Sequence, residues 1–321
     1  MSAAASAPID SLVADIGGTR MRVALATPAG ELREVQVFDC ADYATPLAAF
    51  TAYLTRTAAR PRAACLAVAG AVDGDLVAFT NSRWRFSQAE LRAALKLRRL
   101  LVRNDFEALA LALPALRAED LRQIGGGVAR ANSPLLVLGP GTGLGVATLV
   151  PHAGAWIAVP GEGGHAGFAP QDDLEIAIAD VLRRSAPRLC NEAILSGPGL
   201  EAVYRALALI DGAAPLPMSA AAIGAAALVA GDPRASRAVD VFCAVLGAVA
   251  GDLALISGAR GGVYIGGGIA PRLLPLLGGS RFRARFEDKA RQRAYVAAIP
   301  TAVIVAETPA LLGALAALRA Q

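Results

Sequence analysis

The feature that most limits the possible folds is a design used twice. Residues 12–16 form an apolar run around one acid, Asp15; the run breaks at Gly17-Gly18-Thr19 and resumes over residues 22–26. Far along the chain, residues 135–138 lead into Gly139-Pro140-Gly141-Thr142-Gly143-Leu144-Gly145, and an apolar stretch follows over 146–150. Each copy reads as strand, glycine turn, strand. Two hairpins of one design point to duplication of a single α/β unit. A length of 321 residues also exceeds what one hydrophobic core usually serves, so two domains with a cleft are expected.

Other elements alternate between strand and helix signals. Residues 62–69 and 100–102 read as short buried strands, and 87–97 has helical spacing with Ser87 and Glu90 placed as a capping box. Residues 106–113 continue as an apolar helix. The second half predicts helices over 174–184, 199–210, 220–230 and 236–256, with strands at 262–265 and 302–305. Thr308-Pro309 opens a last amphipathic helix that runs to residue 319, with proline at a tolerated first-turn position. Strands alternating with helices give an α/β class.

Composition excludes several functions. Hydrophobic residues make up 55% of the chain and charged residues 18%, which fits a packed globular protein. The longest apolar stretches, such as 220–230, are alanine-rich and end at Gly and Asp-Pro, so no membrane span is expected. Residues 1–8 lack a basic start followed by an apolar core and do not read as a signal peptide; a cytoplasmic protein is expected. Cys40, Cys65, Cys190 and Cys243 are scattered without a CxxC pair, the pattern of reduced thiols. The net charge is only +4 and acids are interspersed throughout, which argues against a nucleic-acid surface. The one basic cluster, residues 96–103, reads as the decorated end of a solvated helix.

The chemistry concentrates at strand ends. Asp15 with Gly17, Gly18 and Thr19 sets a carboxylate beside a turn whose amides lack a side-chain shield, a place suited to Mg²⁺-bound phosphate. In the second turn, glycines at 139, 141, 143 and 145 let backbone amides approach an anion, and Thr142 adds a hydroxyl. This second turn is neither a Walker loop, because no Gly-Lys-Ser/Thr follows, nor GxGxxG at the start of a helix. A third cluster, Gly266-Gly267-Gly268, would let a flat adenine lie against backbone, or would simply pack strand against helix. Asn104-Asp105 ends a strand where an open α/β sheet binds ligands; a helix N-cap is the ordinary role for Asp105. Glu162 and His165 share a loop with three glycines, and Glu192 precedes Leu195-Ser196-Gly197-Pro198-Gly199. These residues offer many acceptors and few cations, which suits a neutral polyol. A kinase needs a base, a charge-neutralised phosphate and alignment, and the set can supply them.

These residues resemble the bacterial glucokinases of the hexokinase, Hsp70 and actin fold group. The likeness runs from end to end: Asp15-Ile16-Gly17-Gly18-Thr19 with Arg22, Thr80-Asn81 with Trp84 and Phe86, Asn104-Asp105-Phe106, Gly141-Thr142-Gly143-Leu144-Gly145, and Pro160-Gly161-Glu162-Gly163-Gly164-His165. It continues through Leu195-Ser196-Gly197-Pro198-Gly199-Leu200, Gly266-Gly267-Gly268-Ile269, Phe286-Glu287-Asp288-Lys289 and Leu311-Leu312-Gly313.

The resemblance implies two actin-like (ribonuclease H-like) α/β domains with an interdomain cleft. The small one would comprise residues 1–115 plus 306–321, and the large one 116–305. It implies glucose held by Asn104, Asp105, Glu162, His165 and Glu192, with Asp105 deprotonating the 6-hydroxyl. ATP with Mg²⁺ would lie across Asp15, Gly17, Gly18 and Thr19, across Gly141, Thr142 and Gly143, and across Gly266, Gly267 and Gly268. A homodimer is implied too. No structural metal is expected, since the zinc-binding cysteine cluster of the related ROK kinases is absent. Where the family usually carries Asn after Gly-Gly-Thr, this chain has Arg20, which would either contact phosphate or crowd the loop. A kinase for another hexose, and a sugar-binding regulator without turnover, are the alternative functions.

Overall fold

The computed structural model describes residues 11–70, 72–79 and 83–320. It divides into two compact units: Met1–Leu116, Ala155–Ala158 and Glu307–Gln321 form the first, Arg117–Gly154 and Val159–Ala306 the second. Thr80 and Asn81, part of the family pattern, and residues 1–8 lie outside the described residues.

The first unit runs β1 (Ser11–Ile16), β2 (Arg20–Ala26), β3 (Leu32–Asp39), α1 (Pro46–Thr57), β4 (Ala63–Val68), the small hairpin of β5 (Leu76–Ala78) and β6 (Arg85–Ser87), α2 (Gln88–Ala94), β7 (Arg99–Asn104) and α3 (Asp105–Ala112). Its sheet has the order β3-β2-β1-β4-β7, with β1, β4 and β7 parallel. Both faces are covered, so the central strands read as continuous apolar runs. Leu12, Ala14 and Ile16 pack on one face with Phe50, Tyr53 and Trp84. Val13 packs on the other face.

The second unit runs β8 (Leu121–Gly125), β9 (Leu135–Pro140), β10 (Leu144–His152), β11 (Ala155–Gly161, of which residues 159–161 belong to this unit), α4 (Asp173–Leu182), α5 (Gly197–Ile210), α6 (Ala220–Leu228), α7 (Pro233–Ser257), β12 (Gly262–Ile265), α8 (Ala270–Leu277), α9 (Phe282–Glu287), α10 (Arg293–Ala297) and β13 (Thr301–Ile304). Its sheet order is β11-β10-β9-β12-β13-β8. Apart from β8 at one edge, this repeats the first unit strand for strand: an antiparallel three-stranded meander, then two parallel additions. The hairpin resemblance in the sequence therefore extends to whole sheets. The chain closes with α11 (Pro309–Arg319), whose Leu311, Ala314 and Leu318 cover the Val13 face of the first sheet.

Among the described residues one helix, α7, is long and apolar enough to span a membrane by composition, but most of it is buried in the second core. Its N-cap is Asp232, which accepts from the amides of Arg234 (2.8 Å) and Ala235 (3.2 Å), and Gly258 ends it at φ 63°. All four cysteines are free. The basic run 96–103 is not a helix end: α2 stops at Ala94, the run enters β7, and Arg103 pairs with Glu107 at 3.3 Å. Of the capping box predicted on α2, the Ser87 half is present, its hydroxyl accepting from the Glu90 amide at 3.1 Å.

Candidate active site

In the first unit, strand register gathers the predicted residues at one sheet edge. Ile16 lies level with Val68, and Val68 with Asn104, so Asp15, the Gly-Gly-Thr turn and Asn104-Asp105 share the carboxyl edge of three parallel strands. Open α/β sheets bind ligands at that edge. Asp15 belongs to the same strand face as Val13, the face that α11 covers. Its Oδ2 lies 3.4 Å from Nη1 of Arg22, its partner across the β1–β2 hairpin. Burial raises the Asp15 carboxyl above the usual range, and Arg22 offsets part of that rise. Arg22 was visible in the sequence only as part of a family pattern; cross-strand pairing gives it a role.

The cap of α3 is Asn104, not Asp105. The Oδ1 of Asn104 accepts from the amides of Phe106 (2.9 Å) and Glu107 (3.2 Å), and its Nδ2 donates to the Gly70 carbonyl at 3.2 Å. One Nδ2 hydrogen remains for a ligand. With the cap supplied by its neighbour, Asp105 is released from its ordinary explanation. Its carboxyl is pushed up to about 7, first by burial and then by the charge of Asp15, against the Phe106 amide and the Asn104 side chain. A carboxylate that titrates near neutrality can accept a proton and release it again.

The first turn is closed by the Gly17 amide donating to the Arg20 carbonyl at 2.9 Å, and it is braced by the Cys40 amide on the Thr19 carbonyl at 2.8 Å. The Arg20 guanidinium approaches Asp39, its pairing partner on β3, with Nε 3.5 Å from Oδ1. Arg20 is thus directed along the strand pair and does not fill the turn.

In the second unit the glycines divide by task. A Cβ on Gly139 would stand 2.6 Å from the Gly266 carbonyl carbon, and one on Gly267 would strike the Pro140 carbonyl, where φ is also +76°. These two glycines let the Gly266 loop dock on the β9 end, which was the packing alternative for that cluster. Gly141 and Gly268, in contrast, face open space. The Gly141 amide closes the turn on the Gly143 carbonyl at 2.8 Å, so it is not offered outward. Thr142 is exposed at the tip.

Glu192 holds this same turn. Its Oε2 accepts from the Leu144 amide at 2.8 Å and lies where a Cβ on Gly143 would stand, 2.5 Å away. The loop with Glu162 and His165 rests on β10, because a Cβ on Gly164 would strike the Leu144 carbonyl. Both side chains point to solvent, 79% and 60% exposed, with Oε2 of Glu162 at 4.0 Å from Nε2 of His165. Glu162, His165 and Glu192 therefore border one glycine turn of the second unit. His152 stands apart, exposed at the far end of β10.

As a cation site, Asp15 fits an ion held mostly by water and phosphate oxygens, since it is one carboxylate already faced by an arginine. Among the described residues, no group of three or more His, Cys, Asp or Glu could hold a metal by itself.

Residues 12–321 match the family model described as Glucokinase. A glucokinase from Chromobacterium violaceum is 47% identical over 303 residues, covering 94% of this chain and 87% of that protein. A bifunctional protein glk from Burkholderia pseudomallei is 47% identical over 327 residues, but this chain spans only 50% of its length. Among solved structures, a glucokinase from an Antarctic psychrotroph superposes with a TM-score of 0.88 at 38% identity, covering 97% of this chain and 99% of that one.

Proposed function

This chain belongs to the glucokinase family, and on that premise we propose that it transfers the γ-phosphoryl group of ATP to the 6-hydroxyl of D-glucose, giving glucose 6-phosphate and ADP. The observation that carries the mechanism is Asp105: a carboxylate at the carboxyl edge of the sheet, freed from capping by Asn104 and titrating near 7.

In this reading the Asp105 carboxylate takes the proton of the 6-hydroxyl as its oxygen attacks the γ-phosphorus, and the bond from that phosphorus to the bridging oxygen of ADP breaks. Asn104 donates its remaining Nδ2 hydrogen to the sugar. Glu162, His165 and the second oxygen of Glu192 accept or donate to other hydroxyls. Thr142 and the Gly18, Thr19 and Gly143 amides meet phosphate oxygens, and the adenine lies by Gly266-Gly267-Gly268. Mg²⁺ carried on the triphosphate would neutralise its charge, and Asp15 would hold it through water. The small and large domains are taken as 1–115 plus 306–321 and 116–305. A cytoplasmic homodimer acting in glycolysis, with no nucleic acid or membrane partner, completes the proposal.

Arg20 does not favour the alternative of a binding protein without turnover, because its approach to Asp39 leaves the Gly-Gly-Thr turn open. The test is ADP formation coupled to a chromogenic reaction across glucose, mannose and fructose. Glucose should give the highest kcat/KM; equal values for the three sugars would defeat the glucose assignment, and no ADP with any of them would defeat the kinase.

The pH profile is a separate check. The ionised form of Asp105 is the active one, so kcat/KM should fall below pH 7, by roughly tenfold per unit once well below it, and level off above. A flat profile from acid to mildly alkaline pH would remove Asp105 from the role of base.

A further inference from the structure

The loop that presents Glu162 and His165 is held in an unusual way. Their side chains are largely exposed, and the contacts they make are slight: the 4.0 Å approach to each other and a 3.9 Å separation between His165 Nδ1 and Cys190 Sγ. On one side the Gly163-Gly164 backbone lies against Leu144 and Val146. Ala166 and Gly167, which follow the turn, line a cavity of about 160 Å³ together with Asn191, Val249 and Leu253.

Asn191, buried to 6% exposure, holds the turn. Its Nδ2 donates to the Gly163 carbonyl at 3.3 Å, and its backbone amide donates to the Ala166 carbonyl at 2.9 Å. It thus grips the short 3-10 turn Gly163–His165 from both flanks. Its own carbonyl accepts from the amides of Ile194 (3.1 Å) and Leu195 (2.8 Å), which anchors it at the head of α5. The next residue, Glu192, bonds to the Leu144 amide.

We propose that Asn191 is a positioning residue for sugar recognition: its side-chain amide fixes the Gly163 carbonyl and so sets where Glu162 and His165 present their polar atoms. This rests on the reading that His165 contacts the sugar. Asn191 touches no substrate itself; it acts through the turn.

The experiment is a double-mutant cycle on glucose affinity, measured by calorimetry on the whole chain, with Asn191→Ala, His165→Gln and the pair. Losing a hydrogen bond of ordinary strength should weaken glucose binding about 5- to 10-fold in Asn191→Ala. KM for ATP should stay within about twofold, and the melting temperature should fall by only a few degrees, as expected for one lost buried hydrogen bond. Because Asn191 acts through the turn that carries Glu162 and His165, the loss in the pair should be clearly smaller than the product of the two single losses. Asn191→Ser, too short to reach Gly163 but able to hydrate the pocket, is run alongside so that the cycle can use a folded variant. Multiplying losses in the pair, or wild-type glucose affinity in both Asn191 variants, would overturn the proposal. If His165→Gln binds glucose like the wild type, the sugar role of His165 fails first, and the proposal falls with it.

Discussion

Asp105→Asn is expected to lower kcat by about 10²–10⁴ while making the protein more stable at pH 8. The loss follows from removing the base; the gain follows from the same carboxyl. Its folded-state value near 7 lies above the ordinary aspartate value near 3.9, so between these two the folded chain keeps a proton that the unfolded chain has released. Stability must then fall as pH rises through that window, and the penalty is complete above about pH 7. An asparagine has no such ionisation, yet it keeps an acceptor for the Phe106 amide that now bonds to Asp105 Oδ1 at 3.1 Å.

The advantage of the variant should therefore be absent near pH 4 and largest above pH 7. Because Asp105 is only half-buried, solvent screens part of the effect, and ~1–2 kcal/mol, or a few degrees in melting temperature, is the expected size. Thermal unfolding of both proteins at pH 4.5 and pH 8, beside steady-state kinetics, tests both halves. Turnover near wild type would exclude Asp105 as the base. Equal melting temperatures at pH 8 would mean that its carboxyl is not destabilised by burial.

Gly313→Ala should be the most damaging small substitution in the first unit. Gly313 is where α11 meets α3, and a Cβ there would fall on the Ala108 carbonyl oxygen and stand 2.5 Å from its carbon. The obstacle is backbone, so no side-chain rotation relieves it and the two helices must part. Overpacking of this kind costs roughly 1–3 kcal/mol, and more where backbone is struck; the better helix propensity of alanine returns about 1 kcal/mol. A net loss of ~2 kcal/mol or more is expected.

The damage should also reach chemistry, because Asp105 opens α3 and moves with it. Urea titration gives the stability, and kcat at low temperature, where the variant stays folded, gives the displacement. Gly278→Ala is the control: nothing lies within 4 Å of its Cβ position and its φ is −65°, so it should be neutral or slightly stabilising. If Gly313→Ala melted with that control, the close approach of α11 and α3 would be tolerant after all.

Particular elements show which features could be read in advance. β12 was legible residue for residue at 262–265, because a short apolar run ends abruptly in glycines. The stretch from β3 to α1 was not. β3 alternates with many polar residues, since it is an edge strand, and Glu34 breaks it at φ 53°. α1 did carry a signal, Thr45 before Pro46, and the Thr45 hydroxyl does accept from the Ala48 amide at 3.2 Å. Asn191 carried no signal at all, for nothing local distinguishes a buried asparagine from a turn residue.

By itself the sequence determined where strands stop, where turns need glycine and which face of each helix is apolar, because those depend on each residue's own backbone freedom and on the spacing of its neighbours. It also determined, through ordered motifs, that the chain is a glucokinase relative. Only the tertiary structure decided the tasks: that Asn104 is the cap and Asp105 is not, that Gly139 and Gly267 serve packing, and that Glu192 braces the turn before Leu144. Each of these depends on atoms brought together by sheet register across long stretches of chain, and such proximity has no local trace in the order of residues.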